Sequence, residues 1–345
     1  MKNERKFTKK AGVLLLAAVL ALSLGLTGCG SDKSDSKASS SKDSSSGKTK
    51  VTIAYSGGTC EAPLYVAYHK GYFKKEGLDV TMVEAGFDEL KQGLASGKID
   101  AAEGNFAWLK SIEQGLGLKL TAGVHTGCIR AVVPANSTVK TVADLKGKTI
   151  GVDSIGGGPQ IALSVKLREA GLDPQKDVSW KAYEGNLLDT ALQKGEIQAY
   201  MTWDPFPPQA VADGKARYLL DIGQDKPFKD KYCCFIGIRS SLIKEDKETA
   251  AKITRAILAA SDYVNEHPEE AAKIAVDNKY IGSSVELNTK LIKEYNWAPS
   301  IKQAKESVKF YIKELKAQGI LDKDSSESQL YKDTFAEVIS DYNGK

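Results

Sequence analysis

From Val51 onward, short runs rich in β-branched and aromatic residues alternate with stretches of helical periodicity. The runs predict strands over Val51–Tyr55, Asp79–Glu84, Ala101–Gly104, Lys119–His125, Thr149–Asp153, Val178–Tyr183, Gln198–Thr202, Tyr218–Ile222 and Cys233–Arg239. Helices are predicted between them, over Leu64–His69, Asp88–Ser96, Ala107–Gln114, Gln160–Ala170 and Leu187–Lys194. Gly71, Gly97, Gly171 and Gly195 stand where left-handed caps would end four helices. After Asp246 the pattern turns wholly helical, with Ile253, Ile257, Ala260 and Val264 on one face. Such alternation predicts an α/β fold with parallel sheets covered by helices. Leu94–Ala101 matches Leu192–Ala199 at Leu, Gly, Ile and Ala, which suggests two similar lobes, although helix-to-strand turns in general share this grammar.

Upstream the pattern is different. A basic stretch ends at Lys10, and an unbroken run of apolar and small residues follows over 11–26. Sixteen residues of helix fall short of the roughly 20 needed to cross a bilayer, so a removable export signal is expected. The run ends in Leu26-Thr27-Gly28-Cys29, which resembles the lipobox of bacterial lipoproteins. That resemblance implies a signal peptide over 1–28, cleavage before Cys29, and acylation of Cys29 with palmitate or a similar chain. Residues 30–48 are nearly all Ser, Lys, Asp and Gly. They lack the apolar surface to offset the entropy of ordering, so they are expected to form a flexible tether reaching roughly 25 Å.

Composition narrows the class. A chain of 345 residues that is 42% hydrophobic and 27% charged fits two ordinary globular domains and excludes a disordered, collagen-like or polytopic membrane protein. The net charge of +4 resides in residues 1–28, whose five cations and single Glu4 leave the rest neutral. A neutral body has no electrostatic footprint for nucleic acid.

Three segments carry a family resemblance: Ala67-Tyr-His-Lys-Gly71-Tyr-Phe73-Lys-Lys-Glu-Gly77-Leu-Asp79-Val, Ala95-Ser-Gly97-Lys-Ile-Asp100, and Val142-Ala-Asp144-Leu-Lys-Gly147-Lys-Thr-Ile-Gly151-Val. Together they are similar to the substrate-binding proteins of ABC importers for nitrate, sulfonate and taurine, and to the related thiamine-pyrimidine binding proteins. The similarity covers roughly residues 50–300. It implies a two-lobed type II periplasmic-binding fold, each lobe a mixed, mostly parallel sheet covered by helices. Residues 49–130 would form the first part of lobe one, 131–232 lobe two, and 233–345 the return to lobe one with C-terminal helices. The chain would cross near Ile129–Pro134 and again near Tyr232–Ile238. The implied function is capture of a small organic ligand, anionic or zwitterionic, sulfonate-like or pyrimidine-like, by hinge closure outside the cytoplasm. The implied partners are an ABC permease and its ATPase, with the membrane touched only through the lipid. A monomer with no cofactor and no enzymatic activity is expected.

Ligands of open α/β sheets sit beyond the carboxyl ends of the strands, which directs attention to five turns. Gly156, Gly157, Gly158 and Gln160 follow one strand, and their exposed N–H groups at a helix start suit an anion. Ser56, Thr59, Cys60 and Glu61 open the first helix, with Thr59 alternatively a cap. Phe87 opens the second. Asn105 and Trp108 form the next turn, with Trp108 also a candidate for the core. Trp203 and Asp204 form the fifth, where a carboxylate could accept hydrogen bonds from a ligand cation.

Besides Cys29 there are four cysteines, and the resemblance places Cys60 at a cleft turn and Cys128, Cys233 and Cys234 on the crossing segments. A disulfide from Cys128 to Cys233 or Cys234 is the first expectation for an exported chain. Buried small hydrophobes are the second. A soft-metal or thiol-ligand site from Cys60, His125, Cys128 and one crossing cysteine, Cys234, is the third. Adjacent strand residues face opposite ways, so only one of Cys233 and Cys234 should serve the cleft. Cys233-Cys234-Phe235 also resembles the longer cysteine run of eukaryotic pyrimidine-precursor synthases, and the alternative function is an exported metal- or thiol-ligand-binding protein, or a synthase-like enzyme, that uses the cysteine and histidine cluster.

Overall fold

The computed structural model describes residues 48–340 and 342. The signal peptide, Cys29 and the tether up to residue 47 lie outside the described residues.

Strands form two sheets. β1 (Thr49–Tyr55), β2 (Leu78–Glu84), β3 (Ala101–Asn105), β4 (Leu118–Thr126), β10 (Tyr232–Arg239) and β11 (Asn296–Ser300) make one, in the order β11-β4-β10-β3-β1-β2. β5 (Ile129–Pro134), β6 (Thr149–Val152), β7 (Ser179–Ala182), β8 (Ala199–Trp203) and β9 (Ala216–Asp221) make the other, in the order β7-β6-β8-β5-β9. Where strand, helix and strand follow one another the pairing is parallel: β1 with β2 and β3, β6 with β7 and β8. β5 and β10, the first strands after the chain changes sheets, pair antiparallel on both sides. The two-lobed α/β architecture with mixed sheets is therefore as expected, with more antiparallel pairing than the alternation alone suggests.

The helices form where periodicity and caps agree. All four glycines expected to end helices adopt positive φ, between 73° and 80°. Helix Lys247–Glu266 starts where the Asp246 side chain accepts the Thr249 N–H, and it buries Ile253, Ile257, Ala260 and Val264. That face packs against helix Ala62–His69, whose Leu64, Tyr65 and Val66 are fully buried.

The region after Asp246 is not wholly helical, because β11 pairs antiparallel with β4 as an edge strand. Asn-Trp-Ala-Pro-Ser has no alternation and contains Pro299, so no local signal marks it. Proline is tolerated there because one side of an edge strand needs no ladder.

The chain changes sheets at 127–128 and again over 222–231. These segments touch backbone to backbone: a Cβ on Gly127 would lie 2.5 Å from the Gly223 Cα.

Candidate functional site

A cavity of about 60 Å³ lies where the two sheets face each other, and both contribute to its wall. From the six-stranded side come Cys60, Glu61, Phe87, Glu103, Asn105 and Trp108. From the five-stranded side come Asp153, Gly158 and Trp203. The lobes meet over it. The Thr59 N–H donates to the Asp204 carbonyl at 3.0 Å, and a Cβ on Gly158 would lie 2.4 Å from the Asn105 side chain.

Of the residues singled out in the sequence, Ser56, Cys60, Glu61, Phe87, Asn105, Trp108, Cys128, Gly158, Trp203 and Cys234 line this cavity. The Trp108 ring also belongs to the core, lying on Gly104 and Gly237, where a Cβ would come within 2.3 Å and 2.1 Å of it. Glu61 is turned back into its own loop, accepting the N–H groups of Ser56 and Gly58 at 2.9 Å and the Tyr65 hydroxyl at 3.0 Å. The Ser56 hydroxyl donates to the Ala85 carbonyl.

Others sit elsewhere. Thr59 is buried beside the cavity and donates to the Asn288 side chain. The glycine turn offers less to an anion than its sequence suggests: the Gly156 N–H donates to the Gln160 side chain, and the Gly157 N–H to the Ser154 carbonyl. Neither residue, nor Gln160, reaches the cavity wall. Asp204 does not reach the cavity wall; its Oδ2 is held by Arg130 and by the Tyr295 hydroxyl at 2.6 Å. Arg130 also donates to Asp221 and Glu294, both at 2.9 Å, so one buried guanidinium ties the crossing strand β5 to both lobes.

The cysteines form no disulfide among the described residues; Cys60, Cys128, Cys233 and Cys234 are free and buried. Both neighbours of the run approach Cys128, with its Sγ 3.0 Å from that of Cys233 and 3.6 Å from that of Cys234. The expected opposite facing fails because the ladder between β10 and β4 slips between Tyr232 and Cys234, and an extra residue of this kind re-aims side chains. Cys233 stays off the cavity wall. His125 is fully buried, with its ring stacked 5.0 Å from Tyr295 and tilted against Trp297 at 4.7 Å.

Two acids were not anticipated. Glu103, in the middle of β3, and Asp153, the residue after β6, both face the cavity, and within a strand only the pleat decides which way such a residue points. Burial pushes Glu61, Glu103 and Asp153 up to about 7, opposed at Glu61 by backbone N–H groups, at Glu103 by His125 and at Asp153 by the Ser154 hydroxyl. Burial disfavours a charged His125, while Cys60 and Glu103 outweigh it and raise the ring to about 9.

A raised carboxyl holds its proton in the fold at pH values where the unfolded chain has lost it. Its stabilisation is complete below the ordinary carboxylate range and is lost as pH rises through about 7. Melting temperature should therefore fall between pH 5.5 and 7.5, with each group contributing at most about 1.4 kcal/mol per pH unit. Asp153→Asn should flatten this slope; a variant that melts with the wild-type pH dependence would contradict the assignment.

Among the described residues, no lysine or arginine lines the cavity. Two polar groups on its wall lack partners, the Trp203 Nε1–H donor and both Glu103 carboxyl oxygens. Phe87, Trp108 and Trp203 supply flat apolar surface. The arrangement can enclose a small solute between rings and offer it one donor and one acceptor.

Comparison with known proteins adds lineage. The model of the NMT1-like family matches residues 44–277. The putative thiamine biosynthesis protein of Haemophilus influenzae is 30% identical over 238 residues, covering 67% of this chain and 72% of that protein. The nitrate/nitrite binding protein NrtA of Nostoc is 24% identical over 257 residues, covering 67% of this chain. The chain spans 38% and 58% of the lengths of two nitrate-import relatives that it matches. The periplasmic nitrate-binding protein NrtA of Synechocystis superposes with a TM-score of 0.73 at 17% identity, over 83% of this chain and 86% of that one, which shows the shared fold.

Proposed function

The chain belongs to the NMT1-like family, and on that premise we propose that it is the extracytoplasmic solute-binding component of an ABC importer. The observation that carries this reading is the cavity closed between two lobes, with walls drawn from both. Residues 131–232 would move against 49–130 and 233–345 about the two crossings, enclosing a solute without transforming it and presenting it to a permease driven by an ATPase. The lipid on Cys29 and the tether over 30–48 would keep a monomer beside that permease.

Of the two solute classes expected, the cavity favours the pyrimidine-like one. Three carboxyl groups and no cation make a poor site for nitrate or a sulfonate, whose charge would meet no counter-ion. An aminopyrimidine would stack between the tryptophan rings, accept the Trp203 N–H at a ring nitrogen and donate its amino group to Glu103.

Native mass spectrometry of the full chain, extracted from membranes in mild detergent, tests both parts. The expected mass begins at Cys29 and includes acyl chains. Added 4-aminopyrimidine should be retained and shed on denaturation, and Trp203→Ala should weaken its retention at least tenfold, about 1.4 kcal/mol. Retention of taurine or nitrate instead would reverse the choice of solute. An unacylated chain would remove the anchor.

A further inference from the structure

We propose that Cys60, His125, Cys128 and Cys234 form a four-coordinate site for a thiolate-preferring closed-shell metal ion, zinc(II) or copper(I), in the wall of the cleft. Their ligand atoms all lie within 4.8 Å of one another, and all four residues are buried. Tetrahedral coordination at the zinc–sulfur distance places sulfurs about 3.8 Å apart; the Cys128 and Cys234 Sγ atoms are 3.6 Å apart. No standard spacing marks the set, because the ligands arrive from four places: the turn at Thr59–Glu61, the end of β4, the first crossing and the slipped end of β10.

The histidine is a second, independent observation. Its Nδ1 lies 3.2 Å from the Thr126 carbonyl, a contact that places the proton on that nitrogen. The Nε2 is buried with no hydrogen-bond partner, since Glu103 at 3.5 Å is too distant, and a metal ion would take its lone pair by displacing the proton it carries near neutral pH. A ring held through one nitrogen by a backbone carbonyl, with the other nitrogen bare among thiols, has the arrangement of a metal-ligating imidazole. Tyr295 and Trp297 fix its plane. Three sulfurs and one imidazole nitrogen form a soft donor set, which disfavours magnesium and calcium.

Binding requires the three thiols and the imidazolium Nε2 to give up their protons, so four protons leave to solvent as three metal–sulfur bonds and one metal–nitrogen bond form, with no change of oxidation state. The assignment rests on these four side chains and not on the importer reading. Protein that retains an aminopyrimidine but no metal would overturn this site and leave that reading intact.

The test uses the full chain, reduced and stripped of metal, and supplied separately with zinc(II) and, without air, with copper(I). The expected result is one ion retained per chain through gel filtration in one arm, which identifies the ion, with three thiols becoming protected from alkylation. Cobalt(II) bound to the wild type should show sulfur-to-metal charge transfer, a readout that requires no variant to fold. Cys60→Ser, His125→Gln and Cys234→Ser should each weaken binding at least tenfold, while Cys233→Ser, whose thiol lies outside the four, should retain the ion. Substoichiometric metal in both arms, cobalt bound without charge transfer, or loss of metal from Cys233→Ser equal to that from Cys234→Ser would each overturn the site. So would a Cys128–Cys233 disulfide in protein purified without reductant that returns no metal capacity on reduction.

Discussion

Arg130→Met should lower the melting temperature by roughly 6–15 °C, the equivalent of about 3–5 kcal/mol. Arg130 is buried on β5 and binds Asp204, Asp221 and Glu294. The last two acids are partly or largely exposed and can turn to water, so losing their pairs costs little. Asp204 cannot, because it is fully buried. Burial already pushes its carboxyl up to about 6 despite the guanidinium beside it. Without Arg130 the carboxylate has only the Tyr295 hydroxyl, and the fold must protonate it or unfold. The double variant Arg130→Met, Asp204→Asn should therefore recover part of the loss, because the uncompensated charge is gone. A single variant melting within 2 °C of wild type, or a double variant no better than the single, would show the network to be dispensable; thermal denaturation followed by circular dichroism reads both.

Gly127→Ala should be the most damaging alanine substitution in the crossing segments. Gly127 has a φ of +60°, and a Cβ there would meet the Gly223 Cα at 2.5 Å and its N at 3.2 Å. The left-handed conformation costs an alanine about 1–2 kcal/mol, and forcing the two backbones apart costs about 1–3 kcal/mol more. Gly223→Ala supplies the control, since its nearest contacts, the Asp221 carboxylate and the Gly127 Cα, are both at 3.2 Å and its φ is not left-handed. Urea denaturation should show a loss of about 2–5 kcal/mol for the first variant and less than half of that for the second. Equal losses would mean that the contact between the crossings carries no strain.

The physical division between what was readable and what was not runs through these same residues. β1, β2 and β4, helix Lys247–Glu266 and the glycine caps were legible because periodicity and caps act over a few neighbouring residues. β11 was not, because its only support is the register it takes against β4. The candidate turns were legible as turns, and ten candidate residues, three of them cysteines, reach the cavity wall. What each side chain does there was decided elsewhere. Gln160 folds back on Gly156, Arg130 claims Asp204, Glu103 faces inward by the pleat of β3, and Asp153 does so just past the end of β6.

The sequence by itself determined the α/β alternation, the helix ends, and the short supply of cysteine and histidine from which any soft-metal chemistry must draw. Those are local or compositional properties, set by residues close to one another along the chain. Only the tertiary structure decided that the ligand atoms of Cys60, His125, Cys128 and Cys234 lie together, that both members of the cysteine pair approach Cys128, and that the cleft is acidic rather than basic. Each of these depends on the register of strands distant in sequence, where a slip of one residue reverses which side chains face the cleft.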